Sequence, residues 1–162
     1  MGMVAYLRPA TSEEVAALAA DPDLLASFMF EGEGGTIDFD KAWHALHFML
    51  TGNSGRTDSP ASILATDDEH LLGTDEFGLG GYWLILPQQV KAFATELAGI
   101  TDDDLAGRFD PTAMVDQHVY LSDMFAEEGS DALPYIMQGI PALRELTLKA
   151  GDEDAYIVGS LM

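Results

Sequence analysis

Apolar residues alternate with polar ones in two distinct rhythms along this chain, and the switches between them outline the elements. Short β-branched and aromatic runs at residues 3–7, 79–86 and 155–161 predict three strands, the first ended by Pro9. Between them, apolar positions recur at helical spacing. Ser12 caps a helix whose first turn is acidic and whose Val15, Leu18 and Ala19 face inward. Asp21-Pro22-Asp23 restarts a short helix that runs to Phe30, followed by a Gly-rich loop over residues 31–36. Residues 88–97 predict a helix behind Pro87, and Thr101 caps another that ends near Arg108. Residues 112–127 fit no single period. Residues 132–150 read as a long helix that Pro141 kinks or splits, with Gly151 closing it. Residues 6–19 repeat the strand, proline and helix order of residues 84–94; a generic strand-to-helix turn accounts for that likeness.

The most informative stretch is residues 37–52, Ile-Asp-Phe-Asp-Lys-Ala-Trp-His-Ala-Leu-His-Phe-Met-Leu-Thr-Gly. It predicts one helix, capped by Asp38 or Asp40 and closed by Gly52. At 100° per residue, Asp40, His44, His47 and Thr51 share a sector roughly 60° wide. Trp43, Leu46 and Leu50 lie on one flank, Phe48 on the other, and Ala42, Ala45 and Met49 on the back. A helix apolar on so many sides is largely buried, so its polar stripe is either internally bonded or exposed to a pocket.

Three readings of the stripe stay open. The histidines are neutral and brace the interior through hydrogen bonds. Alternatively Asp40, Trp43, His44, His47 and Thr51 line a ligand pocket. As a third reading, His44 and His47 bind a metal with His118 or an acid from Asp67-Asp68-Glu69-His70, although the spacing is not His-Glu-x-x-His. No catalytic residue is marked by spacing, and no cofactor is expected. Gly78-Leu79-Gly80-Gly81 precedes a strand and so makes no phosphate cradle. Asp67-Asp68-Glu69 lacks calcium-loop spacing, and Ser54, Ser59, Ser62 and Ser122 occupy no nucleophile elbow. Residues 53–77 have no period and are rich in Asp, Ser, Gly and Thr, which predicts a long irregular segment.

Composition narrows the function classes. The 162 residues suit one domain over 1–162, and a hydrophobic content of 48% supports a folded core. With 28 Asp plus Glu against 7 Lys plus Arg, the net charge is -21. Such a surface repels phosphate backbones and anionic membranes, so neither nucleic acid nor membrane is an expected partner. A basic protein partner or a small-molecule ligand is compatible with it. The absence of cysteine removes disulfides and thiolate chemistry. No apolar run reaches bilayer length and no basic leader opens the chain, so a soluble cytoplasmic protein is expected.

A family resemblance adds to this reading. The opening Met-Gly-Met, the Ser-Glu-Glu-Val helix start, and above all Asp40-Lys41-Ala42-Trp43-His44-Ala45-Leu46-His47-Phe48-Met49-Leu50-Thr51-Gly52 resemble the YfbM-like bacterial family, a domain of unknown function. Gly81-Tyr82-Trp83-Leu84 leading to Gln89-Val90-Lys91, and Ala150-Gly151-Asp152 before the last strand, are similar as well. The resemblance implies a small α+β domain without an established activity, and carries over no catalytic residue, cofactor or substrate. Where that family has an Arg after the aromatic of its second strand, this chain has Leu84-Ile85, so an arginine-dependent anion site is not expected. The stretch near Tyr120 also lacks a Tyr-Pro pair.

The fold class expected is therefore α+β: a single helix-rich domain with a small mixed sheet of about three strands. The function expected is a binding or protein-interaction module, immunity-like toward a basic partner such as a toxin. The alternative is a small enzyme or metal-binding protein centred on the histidine stripe.

Overall fold

One five-stranded sheet organises the computed structural model, which describes residues 2–75 and 78–162. In chain order the elements are β1 (Ala5–Ala10), α1 (Ser12–Ala20), α2 (Leu25–Phe30), β2 (Ile37–Asp38), α3 (Trp43–Thr51), β3 (Leu71–Leu72) and β4 (Gly81–Ile85), followed by α4 (Pro87–Ala98), α5 (Asp102–Ala106), α6 (Pro111–Asp116), α7 (Ser122–Glu128), α8 (Leu133–Ile136), α9 (Ile140–Asp152) and β5 (Tyr156–Leu161). The strands lie in the order β2-β1-β5-β4-β3. Every neighbouring pair is antiparallel, with Ala5 opposite Leu161 and Gly81 opposite the same residue on the other side.

The expected three-strand mixed sheet is thus corrected to five antiparallel strands. The three predicted strands are present; β2 and β3, two residues each, complete the edges. Pairs so short carry no alternation from which to recognise them. Pro9 does not end β1, because the strand continues to Ala10. Pro87, by contrast, opens α4, so the two prolines of the internal likeness occupy different structural positions.

Alternation along the strands sends side chains to two different cores. Tyr6, Ala10, Tyr82, Leu84, Tyr156 and Val158 meet Leu18 of α1 and Leu25 and Met29 of α2. On the opposite face, Ala5, Leu7, Trp83, Ile85 and Ile157 meet the larger core, built from α3 and from Val90, Phe93 and Leu97 of α4 and Ile140, Leu143 and Ala150 of α9. Trp83 is fully buried and crosses directly over Gly159 of β5, its partner in the pairing. A Cβ at position 159 would stand inside the indole ring, which explains a glycine at the centre of a strand.

The helix ends follow local chemistry. Thr11, not Ser12, caps α1, accepting from the Glu14 N–H while Glu14 reaches back to the Thr11 N–H. Thr101 and Asp104 repeat this reciprocal pattern on α5, and hydrogen bonds from the Thr101 N–H and hydroxyl hold the Asp104 carboxyl below its usual range. Leu18 is buried and Val15 half-buried, whereas Ala19, expected to face inward, is exposed. The expected long helix at 132–150 is split into α8 and α9, with Pro141 in the first turn of α9, where its missing N–H costs nothing. Residues 112–127 resolve into parts of α6 and α7. No helix among the described residues is long and apolar enough to cross a membrane.

Candidate functional site

The Trp-His helix begins later than its pattern predicts. Ile37–Asp38 forms β2, Asp40 takes a left-handed backbone at φ 50°, and the α-helix proper starts at Trp43. The Asp38 carboxylate accepts from the Asp40 N–H at 2.7 Å and so stabilises this bend, rather than capping a helix. Gly52 closes the helix in the left-handed region, as expected.

That bend removes Asp40 from the stripe. Its carboxylate accepts from the Tyr135 hydroxyl at 3.0 Å, and burial together with this anion pushes the tyrosine up to about 12. Thr51 turns back on its own helix, donating to the His47 carbonyl at 2.9 Å and to the Asn53 carbonyl at 3.0 Å. Trp43 stacks on His44 with ring centroids 4.7 Å apart and donates to the Met3 carbonyl.

The histidines face backbone. His44 Nδ1 accepts the Tyr120 N–H at 2.9 Å, which fixes the proton on Nε2, and Nε2 donates to the Ser54 carbonyl at 2.7 Å. His47 Nε2 donates to the Gly55 carbonyl at 2.8 Å, and its buried Nδ1 has no partner. Burial lowers the basicity of both rings, the carbonyl bonds opposing it; for His47, the His44 and Arg56 charges lower it further. The arrangement straps the irregular segment at 54–55 to α3 and holds the turn between α6 and α7, where His118 and Leu121 both have positive φ. His118 itself is exposed. Among the described residues, no three His, Asp or Glu side chains are grouped as metal ligands.

The irregular segment is not a loose loop. Ala61, Ser62, Ile63 and Leu64 are buried in the larger core, and the Ile63 carbonyl accepts from the Trp83 indole. The short apolar run Ile63-Leu64 amid polar residues is the signal that this stretch packs inward. Its end at Glu76 and Phe77 lies outside the described residues.

Behind that plug opens a cleft of about 720 Å³, bounded by residues 56–60 and 66–70 and by Gln88 and Gln89 at the start of α4. Asp67 organises it. Its carboxylate accepts from Arg56 at 2.9 Å and from His70 Nδ1 at 2.8 Å through the same Oδ2, while Oδ1 takes the Glu69 N–H. Arg56 also donates to the Ser62 and Ala65 carbonyls at 3.0 and 3.1 Å. The Asp67 side chain is only 9% exposed, that of His70 36%. Thr57 and Ser62 share a hydroxyl bond of 2.8 Å, and Gln89 ties Pro60 to α4. Asp58, Asp68 and Glu69 complete an acidic lining, all three exposed. In the sequence, residues 67–70 read as a solvated acidic turn or as a source of metal ligands. The i,i+3 spacing of Asp67 and His70, with a carboxylate ahead of an imidazole, is the feature that marks this pair.

The comparisons agree with this architecture. The crystal structure of YfbM from Escherichia coli, a protein of unknown function, superposes with a TM-score of 0.74 over 98% of this chain and 99% of that one, at 21% sequence identity. At that identity the likeness speaks for the fold alone. No curated protein matches the chain. The family model of a domain of unknown function, DUF1877, matches residues 1–158, so the chain belongs to the DUF1877 family.

Proposed function

We propose that the protein is a binding module for a basic partner, which it receives at the cleft between residues 56–70 and the start of α4. The observation that carries this reading is the lining: Asp58, Asp68 and Glu69 stand exposed around the opening, and Arg56, which also lines it, is neutralised by Asp67. The net charge of -21 extends the same field over the surface and steers cations toward it. The Asp67 brace keeps the walls in place before a partner arrives, which lowers the ordering cost of binding. The histidine stripe of α3 supports the module from behind, through backbone bonds.

Calorimetric titration with a short arginine-rich peptide tests the reading. Binding at about 50 mM salt that weakens steeply toward 500 mM is expected, since exposed charges are screened over about 10 Å at 0.1 M. An Asp58→Asn, Asp68→Asn, Glu69→Gln triple variant weakens it, while Asp21→Asn with Asp23→Asn, on the exposed turn before α2, does not. Equal binding by both variants overturns the placement, and no binding by the unmodified protein overturns the function.

A further inference from the structure

We infer that His70 selects among cations, admitting those that carry N–H groups (guanidinium or primary ammonium) over fully alkylated ones. The inference rests on the cationic-partner reading of the cleft and names what that cleft recognises.

The argument starts from the imidazole. A carboxylate has no proton to give, so the 2.8 Å contact between His70 Nδ1 and Asp67 Oδ2 places the ring proton on Nδ1. In the neutral ring, Nε2 then carries a lone pair and only accepts. His70 lines the cleft, and Nε2 has no hydrogen-bond partner among the described residues. This is a fixed acceptor: Asp67 is buried and pinned by Arg56, which is itself tied to two carbonyls, so the ring cannot exchange its nitrogens without breaking that chain.

The geometry differs from that of the two other histidines described. His44 has both nitrogens bonded to backbone, and His47 buries its free nitrogen inside the core. Only His70, among these three, combines a carboxylate-held nitrogen with a solvent-accessible ring at a cleft. A carboxylate attracts any cation by charge alone, whereas a lone pair distinguishes cations by whether they bring a hydrogen to it. A guanidinium offers five such hydrogens in a plane; a trimethylated lysine offers none. Charge at the rim therefore supplies attraction, and His70 supplies discrimination.

Two peptides of equal charge separate these contributions. One carries arginines and the other trimethyl-lysines at the same positions, each titrated calorimetrically under identical buffer and salt. The arginine peptide is expected to bind about tenfold tighter, the effect of one hydrogen bond to a charged donor. In His70→Leu that preference falls toward unity while trimethyl-lysine affinity stays unchanged. His70→Gln, whose amide oxygen is an acceptor, retains part of it. Equal affinities in the unmodified protein, or parallel losses for both peptides in His70→Leu, overturn the role of His70 but leave the cationic cleft standing. If neither peptide binds, both fall. The comparison in the unmodified protein needs no variant to fold.

Discussion

Two groups of histidine sit in this chain, and their neighbours have made opposite things of them. On α3, His44 and His47 meet backbone carbonyls and a backbone N–H, and their rings are locked as parts of the scaffold. In the cleft, His70 meets a carboxylate on one side, and its other nitrogen has no partner among the described residues. The residue type is the same; the partner decides whether an imidazole is consumed or presented. A histidine in a conspicuous motif whose ring is enclosed by the scaffold is a structural part, and one in an inconspicuous stretch that presents a nitrogen to a cleft is the better functional candidate.

The largest effect that bears on this contrast comes from the core, where Trp83 packs with both α3 and residues 61–64. Gly159→Ala forces the Trp83 indole off β5 and breaks its bond to Ile63, which anchors the plug behind the cleft. A loss of about 3 kcal/mol or more is expected from such overpacking, read in urea melts, together with faster amide exchange at residues 61–64. Next, His44→Ala leaves the Tyr120 N–H and the Ser54 carbonyl without partners and is expected to cost about 1–3 kcal/mol. It leaves peptide binding at the cleft unchanged if the two groups are independent.

Acid sharpens the same point. His44 and His47 are less basic folded than unfolded, so below the ordinary histidine value of 6.5 the unfolded chain binds more protons than the native one. Stability carried by these rings is complete above that value and declines as pH falls through it toward the lowered native values. Urea midpoints measured between about pH 7.5 and 5.5 should therefore slope downward on the acid side, and a His44→Gln, His47→Gln variant should flatten the slope. A variant as steep as the parent would sink this account. The smallest effect belongs to the cleft: His70→Ala is expected to change stability by less than about 1 kcal/mol, because the ring is partly exposed and Asp67 keeps its bonds to Arg56 and the Glu69 N–H.

Much of the architecture was legible because periodicity and capping are local. The strands near residues 3, 80 and 156, the Thr101 cap and the Gly52 stop all follow from neighbours in sequence. What stayed hidden depends on distant partners. Asp40 leaves the helical stripe because a left-handed bend, bonded to Asp38 and answered by Tyr135 from 95 residues away, overrides the helical period. Residues 53–77 looked like a loop since Ile63 and Leu64 find their core only once Trp83 is placed over them. His44, His47 and Thr51 all lie on α3, but the bonds of the two rings to Ser54, Gly55 and Tyr120 required the tertiary structure. The cleft was least visible of all, being assembled from a segment without rhythm and the start of α4.

The middle of the sheet holds one further consequence. β5 pairs with β1 on one side and β4 on the other, so residues about 150 positions apart are neighbours there. During synthesis, β1 and β4 emerge long before residues 156–161 exist to join them. Until then each presents unpaired edges, and the nascent chain is a candidate for chaperone capture rather than early folding. High contact order of this kind predicts slow, all-at-once assembly that waits for the central strand.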